Sequence, residues 1–200
     1  MVAAMDERVL GVDDNVDENQ RAVGVTRTIP NVYLVGLMGA GKTTVGRTLA
    51  RRLGMHFIDS DHEIQARTGV SIPTIFEIEG ETGFRKREAQ VIADLTKITG
   101  LVMATGGGVV LNPENRALLK ANGLIVYIDV SPEALCERIR HDKNRPLIQV
   151  DDPLARLQEL HAQRDPLYRE VADMVVDGRR LNAQGVLQWL FKEINHRCSL

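Results

Sequence analysis

Cysteine is scarce in this sequence: 200 residues carry only two, Cys136 and Cys198, far apart and outside any metal-ligand spacing. That excludes a disulfide framework and points to a reducing compartment. Long apolar runs are missing too, and none approaches the roughly 18 residues of a membrane span. Nor is there an excess of basic charge. The 25 Lys and Arg against 27 Asp and Glu leave a formal net charge of −2, which argues against a general nucleic-acid binder. The acidic N-terminus has no apolar secretion core, so no signal peptide is expected. What is present, 44% hydrophobic residues over 200 positions, suffices for one compact α/β domain in a soluble, cytoplasmic protein.

The most informative stretch is Gly36-Leu37-Met38-Gly39-Ala40-Gly41-Lys42-Thr43, of the form G-x-x-x-x-G-K-[ST]. Glycines let successive backbone N–H groups converge on one anion, and the helix that follows offers its unpaired amides to the same point. Lys42 can then reach the outer phosphates of a nucleoside triphosphate, and the Thr43 hydroxyl can hold a magnesium ion between them. Context agrees. Val32-Tyr33-Leu34-Val35 reads as a buried parallel strand, while Val45, Leu49 and Leu53 recur at helical spacing before Gly54, a C-terminal cap.

Residues 1–30 are acidic and aperiodic, and read as a disordered extension or a partner-binding arm; the folded domain is expected over 31–196. A second strand near His56-Phe57-Ile58 ends in Asp59-Ser60-Asp61. Side chains two apart at a strand end share a side, so Asp59 and Asp61 can both face the crevice; alternatively one or both cap the next helix, which Ser60 and Asp61 immediately precede. After a short helix near Ile72, another is expected from about Gly83 to Thr96. It carries Arg85 and Glu88 on the apolar stripe of Ile92 and Leu95, either as an internal ion pair or as a carboxylate aiming an arginine at an anionic substrate.

A third strand, Leu101 to Thr105, runs into Gly106-Gly107-Gly108, a tight turn or a place of close ligand approach. Asn112-Pro113 opens a helix that Gly123 is expected to end, and Leu124 to Asp129 forms a fourth strand. The cationic stretch of about 138–152, with Arg138, Arg140, Lys143 and Arg145, reads as a solvated loop or a lid over ATP. Arg164 continues the stripe of Leu157 and Leu160 at an expected helix end before Asp165-Pro166. It is a second inward-pointing arginine. Met174 to Val176 gives a fifth strand and Val186 to Ile194 a last helix.

Taken together, Gly36–Arg47, Asp59-Ser60-Asp61, Gly80-Glu81-Thr82-Gly83-Phe84-Arg85, Gly106–Gly108, Asn144-Arg145-Pro146-Leu147 and Arg164-Asp165-Pro166-Leu167-Tyr168 resemble shikimate kinase in order and spacing. The resemblance implies a three-layer α/β/α fold with a five-stranded parallel sheet, as in nucleoside monophosphate kinases, with a substrate-binding region of about 59–87. It implies phosphoryl transfer from ATP to the 3-hydroxyl of shikimate by a monomer. ATP would be held by Gly39, Ala40, Gly41, Lys42, Thr43, Thr44 and Arg145, and magnesium by Thr43 and Asp59. Shikimate would be held by Asp61, Arg85, Gly107 and Arg164, with Lys42, Asp61 and Arg145 catalytic. The alternatives are a gluconate kinase-like enzyme or a nucleotide-binding protein without kinase activity. A GTP switch would want an Asn-Lys-x-Asp motif, and the sequence has none.

Overall fold

The computed structural model describes residues 29–140, 146–178 and 181–198. The expected disordered extension therefore lies outside the described residues, apart from Ile29 and Pro30, and so does Arg145. The elements alternate as the sequence suggests. They are β1 (Asn31–Val35), α1 (Lys42–Leu53), β2 (His56–Asp59), α2 (Ser60–Thr68), α3 (Ile72–Leu95), β3 (Leu101–Ala104), α4 (Pro113–Asn122), β4 (Gly123–Asp129), α5 (Pro132–Ile139), α6 (Pro153–Val171), β5 (Met174–Asp177) and α7 (Ala183–Arg197).

All five strands are parallel, in the order β2-β3-β1-β4-β5. Helices cover both faces, which is why the central strand β1 is buried throughout and apolar from Val32 to Val35 rather than alternating. Val32 pairs with Val102 on one side and Leu124 on the other. From β1 the chain leaves through α1 toward the β2 edge, whereas from β3 it crosses through α4 to β4. The connections diverge at the carboxyl ends of β1 and β3 and open a crevice there, the usual ligand position in open α/β sheets.

Local chemistry sets most boundaries. Gly41 precedes α1 at φ 90, a left-handed value that favours glycine, and Gly54 closes the helix with its N–H on the Ala50 carbonyl. Ser71, Asn112, Ser131 and Asn182 each accept a backbone N–H from the first turn of their helices. The two helices expected between Ser71 and Thr96 abut at Gly80, whose φ 67 and ψ −176 break the helical path within α3.

Gly123 ends α4 as expected and, extended at φ 179, is already the first residue of β4, paired with Asn31. The cap of α2 is Asp59, one of the two carboxylates that the sequence offers for that role. One boundary differs from expectation: α6 does not stop before Pro166 but runs on to Val171. Proline forfeits one helical hydrogen bond, yet the turn beyond it is held from outside: the Tyr168 hydroxyl donates to the Gly107 carbonyl, and Arg169 pairs with Asp129 at 2.7 Å.

Candidate active site

The phosphate-loop signature bridges β1 and α1 at the centre of the crevice. Lys42 is buried and donates to the Gly36 and Leu37 carbonyls at 2.7 and 2.8 Å, so its ammonium lies over the loop. A cleft beside it is lined by Gly39, Gly41, Lys42, Thr43, Thr44, Asp59, Asp61 and Arg138, among others. Ala40 packs underneath, its N–H donating to the Leu37 carbonyl at 3.3 Å.

Asp59 does two jobs at once. One carboxylate oxygen accepts the N–H groups of Asp61 and His62 at 3.0 and 3.3 Å, capping α2; the other accepts the Thr43 hydroxyl at 2.7 Å. The start of α1 is thereby tied to the start of α2. The donor set at this corner, a hydroxyl and a carboxylate, is all oxygen and suits a hard divalent cation. With both Asp59 oxygens engaged, the carboxylate would reach such an ion through water, leaving Thr43 as the direct ligand.

A second cavity adjoins the first. Its polar wall is Asp61, Arg85, Glu88, Arg164 and the backbone of Gly106–Gly108; its apolar wall is Met38, Ile72, Phe76, Phe84, Pro146 and Leu147. Arg85 donates to Glu88 at 2.8 Å and to Glu81 at 2.9 Å, and stacks 5.2 Å from the Phe84 ring. Burial works against the Arg85 charge, but the two carboxylates outweigh it and hold its pKa above the ordinary value. For Glu88 the balance reverses: burial pushes its carboxyl up although Arg85 pulls it down.

Arg164 is the unusual group. It is only 2% exposed, and among the described residues its Nε and Nη1 have no hydrogen-bond partner. Burial, with the nearby Arg85 charge, depresses its pKa, although the Tyr168 hydroxyl counters both. A buried guanidinium with two idle donors costs free energy unless an anion completes it. The cavity is closed beneath by the glycine run. A Cβ on Gly106 would sit 2.6 Å from Asp61 Oδ1 and 2.9 Å from Glu88 Oε1, and one on Gly108 would collide with the Arg85 guanidinium.

The two cavities share Met38, Asp61, Ile72 and Gly107. Of the residues singled out in the sequence, Gly39, Ala40, Gly41, Lys42, Thr43, Thr44 and Asp59 gather at the first cavity. Arg85 and Arg164 gather at the second, and Asp61 and Gly107 stand at the junction. The sequence reading carried Glu81, Tyr168, Met38 and Phe84 only as members of motifs, with no role of their own, and did not see that Met38, Phe76 and Phe84 form an apolar wall. Glu81 could have been found from its one-turn spacing to Arg85; the others meet across long sequence separations.

A parallel sheet with this strand order, a phosphate loop at its centre and a polar cavity against that loop define a phosphate-loop kinase of small molecules. The comparisons narrow the class. The chain belongs to the shikimate kinase family: the family model for shikimate kinase matches residues 38–195. A shikimate kinase of Dechloromonas aromatica is 67% identical over 165 residues, 82% of this chain and 90% of that one. One of Thiobacillus denitrificans is 61% identical over 165 residues, 82% of this chain and 90% of that one. Among solved structures, a shikimate kinase from Acinetobacter baumannii in complex with shikimate superposes with a TM-score of 0.83 at 50% identity, covering 86% of this chain and 96% of that one.

Proposed function

We infer that this chain is an ATP-dependent kinase that phosphorylates an alcohol group of shikimate, and we propose that the acceptor is the 3-hydroxyl, giving shikimate 3-phosphate and ADP. The observation that carries the residue-level reading is the junction: a carboxylate, Asp61, and a bare backbone, Gly107, border both the phosphate cleft and the arginine-walled cavity. A hydroxyl bound beside Asp61 would face the outer phosphate of a nucleotide on the loop.

In this reading the loop from Gly39 to Thr44 cradles the ATP phosphates, and Lys42 turns from the loop carbonyls toward the transferring group. Thr43 binds magnesium directly and Asp59 does so through water; the ion neutralises charge on the phosphate oxygens. Arg85 and Arg164 seat the shikimate carboxylate, for which the idle donors of Arg164 are the support. Asp61 holds the ring hydroxyls and orients the attacking oxygen. Phosphoryl transfer leaves little covalent work to side chains, so positioning and charge dominate, and proton acceptance by Asp61 is secondary.

Arg145 would add a cation from the lid of about 138–152, in a substrate-binding arrangement completed by 59–87, within a domain of 31–196. The acidic residues 1–30 fall outside that domain. The free thiols of Cys136 and Cys198 are in keeping with a cytoplasmic enzyme, and no helix among the described residues is long and apolar enough to cross a membrane. We read the enzyme as a monomer acting on small molecules alone, without nucleic acid or membrane.

The test is ADP release with magnesium-ATP, offering shikimate beside gluconate, quinate and nucleoside monophosphates. Turnover confined to shikimate is expected. A preference for another acceptor would overturn the substrate assignment.

A further inference from the structure

Arg164 and Gly107 come from distant parts of the chain, and one side chain reaches both. Tyr168 sits one helical turn beyond Arg164 on α6 and is fully buried. Its hydroxyl donates to the Gly107 carbonyl. The peptide it holds packs against the Arg164 guanidinium, where a Cβ on Gly107 would lie 3.7 Å from Nη1.

The ring is fixed from behind. It stacks on Tyr127 with centroids 4.9 Å apart and planes at 29°. The Tyr127 hydroxyl in turn donates to Asp165 at 2.8 Å. Arg169 grips Asp165 at 2.8 Å and Asp129 at 2.7 Å, so the far side of the stack is tied to the end of β4. Tyr168 has little freedom to move. Gly107, for its part, packs on the phosphate loop: a Cβ there would lie 3.3 Å from the Met38 nitrogen and 3.5 Å from the Gly36 oxygen. That same Gly36 oxygen accepts from Lys42 at 2.7 Å.

We propose that Tyr168 is a positioning residue for the phosphoryl transfer: one buried hydroxyl holds the Gly107 peptide against the Arg164 guanidinium, and so fixes the acceptor seat against the phosphate loop. It lines neither cavity. Its effect on shikimate therefore runs through Arg164 and Gly107. The inference rests on the functional reading above, because the seat it positions is the one assigned there to shikimate.

Removing the hydroxyl leaves the Gly107 carbonyl without its donor and releases the peptide that packs against Arg164, while phenylalanine keeps the ring and its stack. The experiment compares Tyr168→Phe with Tyr127→Phe in the full chain. Tyr127→Phe removes a hydroxyl from the same stack on the side away from the cavities. Steady-state kinetics and thermal unfolding are measured for both, with shikimate binding followed by calorimetry in the absence of nucleotide.

For Tyr168→Phe the KM and Kd for shikimate rise about tenfold, the scale of one lost buried hydrogen bond, and the KM for ATP stays within about twofold. For Tyr127→Phe the melting temperature falls while both shikimate constants hold. Wild-type shikimate constants in Tyr168→Phe would overturn the proposal, and so would an equal rise in the two variants, which would mark general loosening of the stack. A wild-type chain that failed to phosphorylate shikimate would instead overturn the functional reading, and this inference with it.

Discussion

Arg85 donates to Glu88 across one turn of α3 at 2.8 Å, and Glu88, 1% exposed, stands behind it as a buried carboxylate. Glu81 takes the other edge of the guanidinium at 2.9 Å from the preceding turn. The ion pair holds a guanidinium that lines the cavity, and in the proposed function it aims Arg85 at the acceptor carboxylate.

Arg85→Lys tests the aim. Lysine keeps the charge but loses the planar fork that can hold Glu88, Glu81 and a ligand carboxylate simultaneously. The KM for shikimate is expected to rise roughly 10- to 100-fold, corresponding to about 1.5–3 kcal/mol for a charge-assisted hydrogen bond, with the KM for ATP unchanged. An unchanged shikimate KM would remove Arg85 from the acceptor site.

Asp61→Asn preserves size and removes charge at the junction of the cavities. If orientation is its main task, kcat/KM falls on the order of 10²-fold with shikimate affinity and kcat both affected. Normal shikimate binding with complete loss of turnover would assign Asp61 the role of base. Calorimetric titration beside steady-state rates separates the two.

Gly106→Ala tests close approach. The added methyl would press on the Asp61 and Glu88 carboxylates from 2.6 and 2.9 Å, while the Gly106 N–H is held by Ser60 at 3.0 Å. Overpacking of this kind costs about 1–3 kcal/mol, and it displaces Asp61. Chemical denaturation is expected to show the loss of stability, and the rate assay a matching loss of turnover. A variant with wild-type stability and rate would show that the floor of the cavity yields.

Asp165 carries a pH signature. Burial alone would raise its carboxyl, but hydrogen bonds from Arg169 and Tyr127 outweigh it and hold the pKa below the ordinary 3.8. A depressed carboxylate stabilises the fold above its unfolded pKa, and that stability is lost as pH falls through the folded value. Asp165→Asn should cost about 1 kcal/mol at neutral pH through the weakened bond to Tyr127, and its stability should fall less steeply than wild type below about pH 4. Parallel acid-unfolding slopes for the two proteins would contradict this.

Much of the fold was legible because its signals are local. The apolar run of β1, the glycine loop and the spacing of Val45, Leu49 and Leu53 all act within a few residues of one another. Arg164 was legible for the same reason, since the stripe of Leu157 and Leu160 aims it inward. The continuation of α6 past Pro166 was not, because the bonds that carry it reach Gly107 and Asp129, far away in sequence. Asp59 was legible in part: its cap is local, but the same carboxylate also accepts a distant hydroxyl, and a sequence shows only the near partner. The apolar wall of Met38, Phe76 and Phe84 likewise forms only once the loop after β1 and α3 meet at one cavity.

The central claim is that a cavity read by two arginines is set against a phosphate loop, and the most direct measurement removes the charge they read. Shikimate and its methyl ester differ only at the carboxylate. The account predicts that wild-type kcat/KM favours shikimate by at least roughly 10²-fold, and that Arg164→Met erases most of this preference by slowing shikimate rather than by improving the ester. Equal phosphorylation of acid and ester by the wild-type enzyme would contradict it.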